Sequence, residues 1–472
     1  MSQQLRRPAP AAARTLWHRL QEWNLIRLSA PHDGGPDLTE DEQLELLDNR
    51  AVDLILRVGE LLLASGESTE SVTEAMLSLS VAYGLPRSEA SVTFTAITLS
   101  CHPRGQATPI TGERVVRRRS PDYTRLTQLH AFVQEAALGL VDLDEAFTRL
   151  RQIKSGRPDY PRWMAAVGLG GIAASASVMV GGGALVAAVA FLATIVGDRV
   201  GALLGRRGIA EFYQLVAAAA ISSLFSVLLL ISGLEVYSAA VVVGGVIALL
   251  PGRPLVASVQ DGIAGSYVSA AARLLEVFFV VTAIVAGLCV TMYAAIRLGV
   301  PVDVDQLPRV HPGLAVVPLL ASMAMALSFG LNLMAPRRTL LFTTLGGGLI
   351  WTGYVVLRLL DLPPVAATAF AAVLLGVVSH LVARWTRTPP LVYLAPAIAP
   401  LLPGSMLYQG VIDLNLGAPS AGLLGLAQAV FVALALGAGV NFGGELIRAF
   451  YRGGWIGTGF ARRPAARRTR GY

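Results

Sequence analysis

Two aspartates follow a repeated helix-breaking motif at the same distance, and this spacing suggests chemistry beside an apolar segment. The tetrapeptide Leu-Leu-Pro-Gly occurs at 249–252 and at 401–404, and Asp261 and Asp413 each stand ten positions after the proline. A proline–glycine pair interrupts a helix, and a carboxylate is costly in or beside hydrocarbon. The duplication therefore indicates a repeated functional element in an internally repeated membrane protein.

The repeated motif places Pro251, Gly252, Pro403 and Gly404 where they interrupt apolar helices. Such a break frees backbone amides at the start of the next half-helix, which suit a carboxylate. It also frees carbonyls, which suit an ammonium group. The alternative is a proline that only ends a helix at the membrane surface. The matched downstream spacing favours a functional break.

Two interpretations of Asp261 and Asp413 stay open. A carboxylate in a region of low dielectric is able to load and release a proton, as proton-coupled transport requires. In the other interpretation each aspartate follows its helix into an interfacial loop and is exposed to water.

Five further polar residues within or beside apolar segments are candidates for substrate contact: Asp198, Arg199, Arg273, Asn332 and Asn441. The first two are adjacent on a helix and point in different directions, so an ion pair to another helix explains them as well as transport does. Arg273 either pairs locally along its helix or, facing a cavity, clamps an amino-acid carboxylate. The asparagines either bind a hydroxylated zwitterion or hold helices together.

The composition indicates that these residues belong to a membrane protein. Of the 472 residues, 54% are hydrophobic and only 15% are charged. The mean hydropathy of +0.58 lies outside the usual range of soluble proteins. The charge distribution divides the chain into a flexible tail at 1–37, a small α+β domain at 38–158, two membrane repeats at 159–300 and 301–450, and a basic tail at 451–472.

The soluble domain is expected to combine helices with a short sheet. A capping box of Thr39 and Glu42 begins the first helix, and Gly66 ends it. The remaining elements are a helix over 69–83, one strand over 91–100, a partner strand at 115–116, and helices near 125–140 and 144–153.

The turn between the first two helices contains Ser65, Glu67 and Ser68. These residue types suit a helix end followed by an N-cap for the next helix. A regulatory or gating surface is the alternative.

Ten apolar segments follow the soluble domain, and most approach the roughly 20 residues that span a bilayer. They lie near 163–182, 184–204, 211–232, 236–252, 267–295, 314–334, 340–360, 364–383, 391–410 and 421–443. The arginines at 206, 207, 253, 337, 338, 384 and 387 and those of the C-terminal tail then share one side, the cytoplasm. Five helices per repeat is an odd number, so the two repeats are inverted and both termini are cytoplasmic.

Several classes of function are excluded. The net charge of +7 comes from arginines at the ends of apolar runs, which orient a membrane protein and do not indicate nucleic-acid binding. The two cysteines and six histidines show no metal-ligand spacing, and no cofactor motif is present. Cys101 beside His102 lacks the arrangement of a catalytic triad, so the chain is not expected to be an enzyme.

The order and spacing of these motifs resemble the threonine/serine exporter family. The resemblance is carried by LLLASGESTE at 61–70, by a Pro-Gly followed by Asp261-Gly and Arg273, by the segment 332–336 before paired arginines, and by the Pro-Gly at 403. It covers about residues 45–450. The resemblance implies a ten-helix secondary transporter that exports threonine, serine or similar amino acids by antiport with protons across the inner (plasma) membrane.

Other classes remain alternatives at this point. In the main one, the chain is a membrane-anchored regulatory or binding protein whose soluble domain is the functional part; a membrane enzyme ranks third. The sequence leaves the oligomeric state open, a homo-oligomer included.

The inverted topology predicts that reporters fused after Arg207 and after Asp305 lie on opposite sides of the membrane. Arg207 follows the second apolar segment, whereas Asp305 lies in an acidic loop after the fifth. Fusions to paired reporters that are active on only one side measure this directly. The topology is wrong if both positions report the same side.

Overall fold

The computed structural model of the chain describes residues 40–102, 108–116, 122–156, 159–161, 163–234, 236–300, 315–415 and 417–452. The chain divides into two units, 1–48 and 49–472, and only the start of one helix is described in the first unit. The predicted flexible tail at 1–37 and the capping residue Thr39 lie outside the described residues, as does the basic tail from residue 453.

The N-terminal part combines four helices with an antiparallel sheet. The helices are α1 (Glu40–Ala64), α2 (Thr69–Ala82), α3 (Tyr123–Ala137) and α4 (Leu143–Ser155). The strands are β1 (Glu89–Val92), β2 (Ala96–Cys101) and β3 (Ile110–Val115), in the order β1-β2-β3. The positive φ of 98° at Gly66 and of 74° at Gly84 follow the ends of α1 and α2, as glycine permits.

The prediction of one strand over 91–100 is wrong, because the segment is a hairpin. Val92 pairs with Ile97 across a turn. Thr93 closes this turn: its amide donates to the Ala96 carbonyl (2.8 Å) and its hydroxyl accepts from the Ala96 amide (3.1 Å). Alternation and β-branched residues continue through the turn, so the pattern did not reveal it.

The core of the N-terminal part extends into the apolar helices that follow. Its buried residues include Leu54, Ile55, Met76 and Leu99. Four residues from later in the chain belong to the same cluster: Leu333, Ala335, Val392 and Ala395. The start of α3 is also attached by backbone hydrogen bonds from the amides of Tyr123 and Thr124 to the carbonyls of residues 333 and 334 (both 3.0 Å). The N-terminal part is therefore docked on the helices.

The remainder of the described chain is helical. Its helices are α5 (Trp163–Met179), α6 (Ala184–Arg206), α7 (Glu211–Ile231), α8 (Ala239–Leu249), α9 (Gly252–Ile263), α10 (Tyr267–Arg297), α11 (Val316–Asn332), α12 (Arg337–Leu359), α13 (Pro364–Thr386), α14 (Leu391–Ala397), α15 (Gly404–Asn415) and α16 (Pro419–Arg452). A 3-10 turn, Ala399–Leu401, links α14 to α15.

In the part of the chain that the structure describes, six of these helices are long and apolar enough to cross a membrane. Two bent pairs, α8 with α9 (47°) and α14 with α15 (42°), raise the number to eight if each pair is one span. The helices α5 and α11 are apolar but have only 17 residues each. The prediction of a mainly helical membrane protein is confirmed at this level.

Glycines allow the apolar helices to pack closely. A Cβ atom on Gly443 of α16 would lie 2.4 Å from the carbonyl oxygen of Val373 on α13. A Cβ on Gly168 of α5 would lie 2.6 Å from the amide nitrogen of Asn332 on α11. Small residues at such contacts let helix backbones approach in a membrane, where no hydrophobic force drives helices together.

Candidate functional site

The two Leu-Leu-Pro-Gly motifs form the same backbone break. Leu250 and Leu402 are extended, with φ and ψ of −62° and 133° and of −63° and 132°. The amide of Gly252 donates to the Leu250 carbonyl (2.9 Å), and the amide of Gly404 donates to the Leu402 carbonyl (2.8 Å). Each bond closes an inverse γ-turn around the proline, so both motifs interrupt a helix.

The helices that follow the two breaks end in the same way. The Ser266 amide donates to the Asp261 carbonyl (2.8 Å), and the Ala418 amide donates to the Asp413 carbonyl (2.9 Å). The glycine before each donor, Gly265 or Gly417, has a φ of 81°. This hydrogen bond and the left-handed glycine define a Schellman cap. The sequence duplication is thus a duplication of local structure from the break to the end of the next helix.

The two breaks also contact each other. A Cβ on Gly252 would lie 3.0 Å from Cδ2 of Leu402, and a Cβ on Gly404 would lie 2.2 Å from Cγ1 of Ile247. Gly252 therefore faces the second motif, and Gly404 faces the end of α8 just before the first motif, at distances that leave little or no room for a side chain. Segments 152 residues apart in sequence meet where both helices are interrupted.

Asp261 is fully buried and paired with Arg273. Asp261 lies on α9 and Arg273 on α10, and the Arg273 Nε donates to the Asp261 Oδ2 over 2.8 Å. The exposed fractions of the two side chains are 0% and 4%. The exposed-loop alternative is therefore wrong for Asp261. A charge buried this deeply requires a partner, and each side chain provides one for the other.

The turn after α1 completes the bonding of this pair. The hydroxyl of Thr69 donates to Oδ1 of Asp261 (2.8 Å), and the Thr69 amide donates to the same oxygen (3.2 Å). The Arg273 Nη2 donates to the Glu67 carbonyl (3.2 Å). The Arg273 guanidinium also lies over the ring of Phe94, 5.4 Å from its centroid, as in a cation–π contact.

Local chemistry shapes the turn for this contact. Ser68 caps α2, because its hydroxyl accepts from the Ser71 amide (3.2 Å), as the sequence predicted. Gly66 brings the backbone close to α9: a Cβ on it would lie 2.7 Å from Nη1 of Arg253. A hydrogen bond joins the Glu67 carboxylate to Nε2 of His130 on α3 (2.8 Å). The turn is thereby held from both sides.

Charged groups around the turn are coupled. Burial raises the pKa of Glu70; Arg448 lowers it, and the nearby carboxylates of Glu74, Glu445 and Asp261 add to the increase. Glu70 is the residue after Thr69, so the acidic end of α2 faces the last helix as well as the buried pair.

Asp413 has a different environment from Asp261. It lies on α15 and is half-buried. Among the described residues its carboxylate has no hydrogen-bond or ion-pair partner. The sequence explains the difference, because the residue 22 positions after the proline is Arg273 in the first copy and Gly425 in the second.

The adjacent charges on α6, Asp198 and Arg199, lie near each other and are partly exposed. The Nε of Arg199 is 4.0 Å from the Asp198 Oδ2, and the exposed fractions of the side chains are 63% and 40%. The contact of α6 with α7 is made beside them, at Gly197, where a Cβ would lie 3.2 Å from the Ala218 backbone.

The two asparagines make structural hydrogen bonds. The side-chain amide of Asn332 donates to the Ala165 carbonyl on α5 (3.0 Å), which links two helices. The side-chain amide of Asn441 donates to the Gly437 carbonyl of its own helix (2.9 Å). Their role in substrate contact stays a prediction.

Sequence reasoning missed Thr69 and Phe94 as members of the site. Thr69 lies in the segment 61–70 that was noted as a motif, but its contact with Asp261 spans 192 residues. Phe94 belongs to the hairpin turn that was predicted as strand. No local pattern predicts either contact.

A helical membrane protein with two interrupted helices that meet at their breaks is typical of secondary transporters. Among the described residues, no group of three or more His, Cys, Asp or Glu side chains could hold a metal ion.

Comparison with known proteins identifies the family. Residues 53–295 match the family model described as "Putative threonine/serine exporter", and residues 318–444 match "Threonine/Serine exporter, ThrE". The "Probable threonine/serine exporter" of Mycobacterium tuberculosis is 32% identical over 408 residues, which cover 84% of this chain and 77% of that protein. The "Threonine/serine exporter" of Corynebacterium glutamicum is 27% identical over 428 residues, 88% of this chain and 85% of that protein.

The chain therefore belongs to the threonine/serine exporter family, a family of transporters and not of enzymes. No solved structure matches it.

Substitutions of the two residues of the buried pair are expected to have strongly coupled effects on stability. Arg273→Met leaves the Asp261 charge buried without its partner, and we expect it to lower the free energy of unfolding by about 3–5 kcal/mol. Asp261→Leu combined with Arg273→Met removes both charges and should recover most of that loss. Denaturant unfolding of the purified chain in detergent measures both.

An exposed ion pair provides the control for these variants of the buried pair. Glu145→Gln removes a partner of Arg149 (2.7 Å) from a pair that is 39% and 47% exposed. Its effect on the free energy of unfolding should be small, because an exposed ion pair contributes little to stability. Equal losses for Arg273→Met and Glu145→Gln would contradict a structural role of the buried pair.

Proposed function

We propose that the chain exports small polar amino acids of the threonine and serine class as a secondary transporter driven by the proton gradient. The observation that carries the proposal is the contact between the two identical helix breaks at Pro251 and Pro403. Both named relatives are threonine/serine exporters, which supports the substrate class. The family match gives no support to the alternative of a membrane-anchored binding or regulatory protein.

The breaks suit a zwitterionic substrate. The helices α9 and α15 both begin at a break, and helix N-termini attract a carboxylate through free amides and the helix dipole. The carbonyls at the ends of the preceding helices attract an ammonium group. One site between the breaks thus offers complementary groups to both ends of an amino acid.

The proposed architecture has ten spans in two inverted five-helix repeats. It counts the six long helices, the two bent pairs, and the 17-residue helices α5 and α11. A helix pair interrupted by Pro-Gly is the fourth span of each repeat. The matched breaks and caps support a duplication, and alternating access by one repeat against the other would use it.

The N-terminal part and both termini are proposed to lie on the cytoplasmic side of the inner membrane. Its contacts are with the start of α9 near Arg253 and with the junction before Arg337 and Arg338. These arginines lie at helix ends that the positive-inside rule assigns to the cytoplasm. The arginine charges and the contacts of the N-terminal part thus favour the same side of the membrane, the cytoplasm.

Proton coupling is assigned to Asp413. The Arg273 guanidinium neutralises Asp261, whereas Gly425 replaces that arginine in the second copy. Among the described residues the half-buried Asp413 carboxylate has no cation partner, which supports this assignment.

Export is tested in cells loaded with a threonine-containing dipeptide. Cells that contain the protein should release threonine faster than cells without it, and a protonophore should slow the release. Pro403→Ala restores a backbone amide at the break, so we expect at least a tenfold loss of export. Rates of threonine efflux at equal protein levels measure this.

Pro364→Ala is the matched control. Pro364 is in the first turn of α13, where proline is compatible with a continuous helix, so this variant should export at the normal rate. Normal export by Pro403→Ala would remove the break from the mechanism. Release equal to that of cells without the protein, across a panel of amino acids, would reject the proposed function.

Asp413→Asn should uncouple transport from protons. The amide cannot ionise, so efflux driven by an imposed pH gradient in proteoliposomes should fall by at least tenfold. Asp361→Asn is the control, because Asp361 is an exposed residue in the turn between α12 and α13. Its φ of 59° is one that asparagine also adopts. If Asp413→Asn responds to the pH gradient like the unaltered chain, another group carries the proton.

A further inference from the structure

We propose that Asp261 and Arg273 form a recognition subsite for the amino-alcohol group of threonine and serine, and that Thr69 of the chain itself occupies this subsite. The inference rests on the proposed function and goes beyond it, because this subsite is a second binding position for the substrate in addition to the one between the helix breaks. It assigns recognition of the substrate hydroxyl to a particular pair of side chains, and it gives the turn after α1 the role of a tethered competitor.

The bonding of Thr69 carries the proposal. Its hydroxyl and its amide nitrogen both donate to one oxygen of Asp261, over 2.8 and 3.2 Å. In any threonine these two groups are vicinal: the nitrogen is on Cα and the hydroxyl on Cβ. Free threonine and free serine carry the same N–Cα–Cβ–O unit. They are therefore able to present an ammonium and a hydroxyl to Asp261 in the arrangement that Thr69 adopts.

Arg273 supplies the second half of the recognition. Its Nε is bound to Asp261, and its Nη2 donates to the Glu67 carbonyl over 3.2 Å. When the turn withdraws, that Nη2 loses its acceptor. The carboxylate of a free amino acid is a stronger acceptor than a neutral carbonyl, because the hydrogen bond is charge-assisted. The pair thus offers a carboxylate to the ammonium and hydroxyl and a guanidinium to the carboxylate.

Burial makes the occupancy of the subsite necessary. Asp261 and Thr69 are 0% and 1% exposed, and Arg273 is 3% exposed. A donor or acceptor left unpaired at such depth is costly, so the subsite is stable only when filled. Thr69 fills it in the structure described here. A substrate that supplies equivalent hydrogen bonds replaces the turn without leaving these groups unsatisfied.

The hydroxyl requirement follows from the same geometry. Valine has nearly the shape of threonine with a methyl group in place of the hydroxyl. With valine bound, the Asp261 oxygen would lose the short hydrogen bond that Thr69 now provides. A site built around a hydroxyl rejects the analogue that lacks it, because a buried polar group is left unpaired.

Binding of radiolabelled threonine to the purified full-length chain tests the competition. Thr69→Val removes one hydrogen bond to a charged group from the competing turn, so it should tighten threonine binding by about tenfold or more. Thr69→Ser keeps the amino-alcohol unit and should bind threonine like the unaltered chain. Asp261→Asn weakens the acceptor for ammonium and hydroxyl and should abolish measurable binding.

Thr73→Val is the matched control. Thr73 lies one turn further along α2, and its hydroxyl donates to the Thr69 carbonyl over 2.8 Å. The variant makes the same chemical change in the same helix without touching Asp261, so its affinity for threonine should be unchanged. Thr69→Val with unchanged or weaker affinity would overturn the inference, as would a gain in affinity for Thr73→Val equal to that for Thr69→Val.

Hydrogen exchange of the unaltered chain gives a test that needs no variant. The Thr69 amide is bonded to Asp261, so displacement of the turn should accelerate exchange in peptides that cover 65–70. Threonine and serine should produce this acceleration, and valine should not. If the amide exchange of these peptides is unchanged with saturating threonine, the inference is overturned. The proposed function still stands in that case if the same protein exports threonine. Absence of export overturns the proposed function itself.

Discussion

The buried ion pair between Asp261 and Arg273 is the constraint on which the rest of the structure depends. Neither charge is stable alone at this depth, so α9 and α10 must keep their relative position. The remaining lone pairs and donors of the two groups need partners as well, and the turn at Glu67 and Thr69 provides them. One electrostatic requirement thus holds two apolar helices together and also attaches the N-terminal part of the chain.

The second constraint is the mutual contact of the two helix breaks. Gly252 faces Leu402 of the second motif, and Gly404 faces Ile247 at the end of α8, at distances that leave little or no room for a side chain. Backbone groups that a continuous helix would satisfy internally are therefore gathered in one place. In a membrane such groups are tolerated only where protein or a water-lined cavity satisfies them. The first break precedes α9 and Asp261 lies on α9, so this short helix links the interrupted core to the paired charges under the N-terminal turn.

The two copies of the motif differ at one charged position, Arg273 in the first and Gly425 in the second. Both have the same γ-turn, the same following helix and the same Schellman cap. Only the first has an arginine 22 residues after the proline, so Asp261 is paired, whereas the Asp413 carboxylate has no partner in the part of the chain that the structure describes. In the proposed mechanism the first copy recognises the substrate and the second copy carries the proton. The N-terminal turn binds at the first copy, where the paired charges are.

The sequence by itself determined the membrane class, the family resemblance, both helix breaks and the N-cap at Ser68, because each of these depends on composition or on local spacing. It did not reveal the hairpin at Thr93, since alternation continued through the turn. It also left open whether Asp261 is exposed, and it did not predict that Thr69 binds it. Burial and contacts across 192 residues arise from the packing of distant segments, and only the tertiary structure decided them.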